Sequence, residues 1–114
     1  MADTRIADHD ERIAEKHEGE LHVRGGATVE VLGMITGLVT VEESSRLILR
    51  GVAFQLRVME GGIALVHGMV SGPLRAERGS IVDIFGMVFG PVTADPEALI
   101  TQRSGSRIEG RLEP

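Results

Sequence analysis

Apolar residues recur along this chain at every sixth position. From Val23 the series runs Val29, Ile35, Val41, Leu47 and Ala53. One step of five leads to Val58, and sixes resume through Ala64, Val70, Ala76, Val82, Val88, Ala94 and Ile100. A helix spaces its apolar positions by three and four. The hexad beat predicts short strands instead, each with a central side chain turned inward between alternating neighbours. A coarser period lies over the finer one. Gly33-Met34-Ile35-Thr36-Gly37, Gly68-Met69-Val70-Ser71-Gly72 and Gly86-Met87-Val88-Phe89-Gly90 repeat one phrase, with Gly51-Val52-Ala53-Phe54 in step between the first two. Three sixes make one repeat of 17–18 residues. The expected fold is all-β: a single-stranded β-solenoid (β-helix) of about five turns, three short strands per turn, over residues 19–112. At a strand spacing of about 4.8 Å it would stand roughly 24 Å tall.

The three sides of a turn carry different flanks. Side one reads Leu21-x-Val23, Val39-x-Val41, Leu56-x-Val58, Leu74-x-Ala76 and Val92-x-Ala94; side two reads Val29-x-Val31, Leu47-x-Leu49, Ala64-x-Val66 and Val82-x-Ile84. Side three is the glycine-bracketed phrase, where a Cβ would clash at a narrow corner or φ must be positive. Gly25-Gly26, Glu43-Ser44-Ser45, Gly61-Gly62, Arg78-Gly79-Ser80 and Asp95-Pro96-Glu97 mark other corners. Residues 1–18 lie outside the beat. Ile6, Ala7, Ile13 and Ala14 have helical spacing among charges, which predicts either a short amphipathic helix across the first turn or a tail. Residues 104–112 read as the start of a further turn shifted by two.

Once the inward positions are set, the outward ones follow. Side one is polar outside, with His22, Arg24, Thr40, Glu42, Arg57, Arg75 and Glu77. Side three points Met34, Val52, Phe54, Met69, Met87 and Phe89 outward, and side two adds Ile63, Ile81 and Phe85. Opposite parity on side three would make Met and Phe the core, but it would put glycines outside and break the beat. A soluble monomer seldom leaves such rows uncovered, and Met suits a surface that adapts to a partner. These nine residues are the candidate protein-interaction surface.

Composition narrows the chemistry. The chain has 114 residues, 42% of them apolar, with 15 Gly, no Cys and three Phe as its only aromatics. It is sized for one domain, without disulfides or thiolate metal sites. Twelve Lys+Arg against 17 Asp+Glu give a formal charge of −5, the wrong sign for a nucleic-acid partner. No apolar run approaches a membrane span and no secretory leader is evident, so a cytoplasmic address is expected. His9, His17, His22 and His67 have no metal-ligand spacing, and no phosphate-cradling glycine motif is present. Ser44-Ser45 and Ser104-x-Ser106 have no neighbouring base. No enzymatic activity and no cofactor are expected.

Two resemblances follow from these residues. The Gly-x-Val-x-Gly phrase at 17–18-residue intervals, followed by Leu/Val-x-Val, resembles the bactofilins, polymer-forming bacterial cytoskeletal proteins, over roughly residues 19–112. Ile108-Glu109-Gly110-Arg111-Leu112 is similar to their closing turns. That resemblance implies a right-handed β-helix that polymerises without nucleotide through its terminal turns, often with an apolar membrane-binding tail. The charged residues 3–17 do not match such a tail, so membrane attachment is not expected. The hexads also resemble left-handed acyltransferase repeats at Val41-Glu42-x-x-Ser45, Ala76-Glu77-x-x-Ser80 and Ala94-Asp95-x-x-Ala98, but not at Ile35-Thr36 or Leu47-Ile48. The expected function is a self-associating structural scaffold. The alternative is a small module, of immunity or antitoxin type, that blocks one protein partner with its apolar face.

Overall fold

Each rung of the chain pairs in parallel with the rung 17 or 18 residues further on through most of its length. The computed structural model, which describes residues 3–110 and 112–113, contains strands and turns without helix. The first face stacks β1 (Asp3–Ala7), β4 (Gly19–Val23), the later halves of β6 (Met34–Val41) and β8 (Val52–Val58), β11 (Leu74–Ala76), β14 (Val92–Ala94) and β17 (Leu112–Glu113). The second face stacks β2 (Glu11–Ile13), β5 (Thr28–Val31), β7 (Arg46–Leu49), β9 (Ile63–Val66), β12 (Ile81–Ile84) and β15 (Leu99–Gln102). The third stacks β3 (Lys16–His17), the beginnings of β6 and β8, β10 (Met69–Val70), β13 (Met87–Val88) and β16 (Arg107–Ile108). Because β6 and β8 run through one corner unbroken, the first and third faces form one eleven-stranded sheet, and the second face is a separate six-stranded one.

The hexad beat is the core. From Val23 through Val88 every member is at most 2% exposed, joined by flanking Leu21, Val31, Val39, Leu49, Leu56, Leu74 and Ile84. Ala94 and Ile100, in the last full turn, are partly buried against it. Ser45 and Ser80 are the buried polar residues of a corner otherwise filled by Ala27. Ser80 Oγ donates to the Glu77 carbonyl at 2.6 Å, and Ser45 Oγ accepts from the Gly26 N–H at 3.2 Å. Among the described residues no buried side-chain polar atom lacks a partner, as a dry interior requires.

The glycines of the repeated phrase serve close approach rather than positive φ. A Cβ on Gly33, Gly51, Gly68 or Gly86 would overlap a carbonyl oxygen of the rung below. Positive φ gathers at another corner, where Gly61 (78°) and Gly79 (76°) stack on Ser44 (65°), the non-glycine member of that column.

Two expectations need correction. Residues 3–17 form neither a helix nor a tail: they are the first turn, so the solenoid starts before residue 19 and has six turns rather than five. The first turn is two residues short on one face, since Ala7 pairs with Val23. Counting back by six from Val23 therefore lands on His17, Glu11 and Arg5, while the apolar Ala7 and Ile13 are fully buried. Strand pairing prevails because the next rung offers a row of backbone donors and acceptors that a helix would leave unmatched. At the other end, β13–β16 and β14–β17 are offset by 20 residues. The two extra residues lie in the 103–106 corner, and this is the shift seen in the sequence.

Candidate interaction surface

Two outward columns run the length of the third face. Register places Lys16, Met34, Val52, Met69, Met87 and Arg107 in one. Two residues along each strand lie Glu18, Thr36, Phe54, Ser71, Phe89 and Glu109. A pleated strand turns residues i and i+2 to the same side, so the columns stand side by side. Met34 is 42% exposed, Phe54 50% and Phe89 40%, whereas Val52, Met69 and Met87 are half-buried. Met34, Thr36, Val52, Phe54 and Ser71 line a shallow hollow of about 290 Å³ over the buried Ile35. Both columns end in charge at each pole. Lys16 Nζ lies 3.4 Å from Glu18 Oε1, and Arg107 pairs with Glu109.

The structure does not gather all nine candidates into one patch. Ile63 and Ile81 stand above Arg46 and below Leu99 on the second face. Phe85 occupies the corner between the second and third faces, its ring stacked on His67 at 4.4 Å, with the Arg103 guanidinium 5.7 Å from its centroid. Ile6 and Leu32 are also exposed, at 48% and 38%. Ile6 was hidden by the helical spacing of the first turn, and Leu32 sits at a corner between strands. The polar pole residues were missed as well. Carrying the 18-residue step back from Met34 to Lys16 would have found one pole, but Arg107 lies beyond the 20-residue turn.

Around these rows charges pair across rungs. Arg50 Nε donates to Glu30 Oε2 at 2.6 Å, and Arg12 approaches the same carboxylate at 3.0 Å. The Arg50 hydrogen bond holds the Glu30 carboxyl below its ordinary pKa, slightly opposed by desolvation and aided by Arg12. Arg103 pairs with Asp83 at 3.0 Å. On the first face Glu77 takes Arg57 at 3.1 Å and Arg75 at 2.7 Å, beside a hollow of about 220 Å³ that also includes Thr93 and Asp95. Thr40, expected on a solvated face, is only 7% exposed, standing between His22 and Arg57 in its column.

The histidines are less solitary than their spacing suggested. His9 lies 3.1 Å from Asp8 and 3.2 Å from Glu11, and its hydrogen bond lowers the Asp8 pKa. His22 approaches Glu20 at 3.3 Å and Glu42 at 3.6 Å, and His17 Nε2 donates to the Glu20 carbonyl at 2.9 Å. Among the described residues no three His, Asp or Glu converge as metal ligands, and no helix is long and apolar enough to cross a membrane. Compared with known proteins, the chain matches no family model, no curated protein and no solved structure.

Proposed function

We propose that this chain is a non-enzymatic structural protein of the cytoplasm that associates with itself end to end, as its resemblance to the bactofilins implies. The observation that supports this is the state of the core at its upper end. Ala94, Ala98, Ile100 and Ile108 are only partly buried there, and Leu99 is 58% exposed. A rung of a second copy laid on β15 and β16 would continue their ladders and cover these side chains, which is how an unpaired strand edge is satisfied. The opposite pole differs. Arg5 and Glu11, in register with the inward Leu21 and Val29, pair at 3.0 Å beside a fully buried Ala7 and Ile13. Association through the upper end thus has more apolar surface to gain.

Sedimentation and electron microscopy of the purified protein test this reading. Rods longer than one molecule are expected, and Ile100→Asp should shorten them while leaving the far-UV spectrum unchanged. A strictly monomeric species at high concentration would overturn it.

A further inference from the structure

We infer that the third face is self-complementary and pairs laterally with a second copy of this chain, the two solenoid axes running parallel. This goes beyond end-to-end association and uses a different surface. Its basis is the pair of columns described above. If two copies face each other across a two-fold axis parallel to the solenoid, each methionine column lies over the partner's phenylalanine column, rung for rung. Lys16 then faces Glu18 of the other copy, and Arg107 faces Glu109. Both poles become four-charge clusters of alternating sign.

Side-chain sizes agree with that register. Met34 meets Thr36, Val52 meets Phe54 and Met69 meets Ser71, so a large side chain opposes a small one on three successive rungs. The hollow over Thr36, Val52 and Ser71 is where the partner's Met34, Phe54 and Met69 would enter. On the fourth rung Met87 opposes Phe89, a sulfur–aromatic contact. The antiparallel alternative places like columns together. It sets Lys16 against Arg107 and Glu18 against Glu109, four like-charge contacts, so the charges select one orientation. A face about 24 Å tall buries roughly 1,000 Å² in total, near the lower limit for a specific interface. A dissociation constant on the order of micromolar is expected.

Exchange of charge between chains provides the test, because Lys16 and Glu18 are exposed and their replacement spares the core. Lys16→Glu alone sets glutamate against the partner's Glu18, and Glu18→Lys alone sets lysine against Lys16. Each variant should dimerise about tenfold more weakly than the parent, and an equimolar mixture should recover pairing. The chain has no Cys, so introduced thiols give a second readout. Met69→Cys chains mixed with Ser71→Cys chains should form a disulfide under mild oxidation at least about tenfold faster than either chain alone. Both results should survive Ile100→Asp, which separates this contact from end-to-end assembly. A mixture no tighter than its components, or faster crosslinking between Val52→Cys and Met69→Cys chains, would overturn the proposal.

Discussion

A Cβ on Gly51 would overlap the carbonyl oxygen of Gly33 on the rung below. The contact is between backbones, so no side-chain rotamer relieves it. Gly51→Ala should therefore push two rungs apart and cost about 3 kcal/mol, measured by denaturant unfolding. Gly105→Ala meets nothing within 4 Å and strains only its φ of 85°. About 1 kcal/mol is expected there. Equal costs would refute close approach as the reason for the glycine phrase.

Ser44 offers the reverse case. Its φ of 65° is one that neighbouring rungs give to glycine, and its N–H donates to the Gly61 carbonyl at 3.1 Å. Ser44→Gly keeps that bond and removes the left-handed strain, at the cost of a more flexible unfolded chain. A net gain of about 0.5–1 kcal/mol is expected, visible as a higher melting temperature.

Position along the stack should grade the cost of truncation. Leu47 is fully buried with rungs on both sides, whereas Ile100 is partly buried in the last full turn. Leu47→Ala should cost about 3 kcal/mol and Ile100→Ala about 1 kcal/mol. Amide exchange is expected to be fastest in the end rungs and slowest around β7 and β9, since each rung is held only by its neighbours. Uniform protection along the axis would contradict this.

Acid should weaken the Arg12–Glu30–Arg50 cluster. The folded pKa of Glu30 is lowered, so its stabilising contribution is complete above the ordinary glutamate value of about 4.3. That contribution is lost as pH falls through the lowered folded value. Glu30→Gln should be less stable than the parent near neutrality and approach it in strong acid. A constant difference between the two across that range would show that the carboxylate charge contributes nothing.

Val70 and Val88 were recognisable as core because a solenoid repeats by translation: a residue buried once is buried again one turn later, and sequence distance becomes axial height. The same regularity exposed Met34, Phe54 and Phe89 as outward positions. It failed where the turn length changed. Arg5, Glu11 and His17 occupy the hexad count while Ala7 and Ile13 do the packing, and no count in steps of six reveals a turn two residues short.

Local spacing alone, then, determined an all-β stack with a thin aliphatic axis, because side-chain alternation and a constant turn leave apolar residues only one common direction. Tertiary structure decided the rest: that charged residues 3–17 make the first turn, and that Lys16 and Arg107 lie in line with Met34 and Met87. Those placements depend on which backbone groups pair between rungs, and hydrogen-bond register over 16 to 20 residues leaves no mark in the alternation of neighbouring side chains.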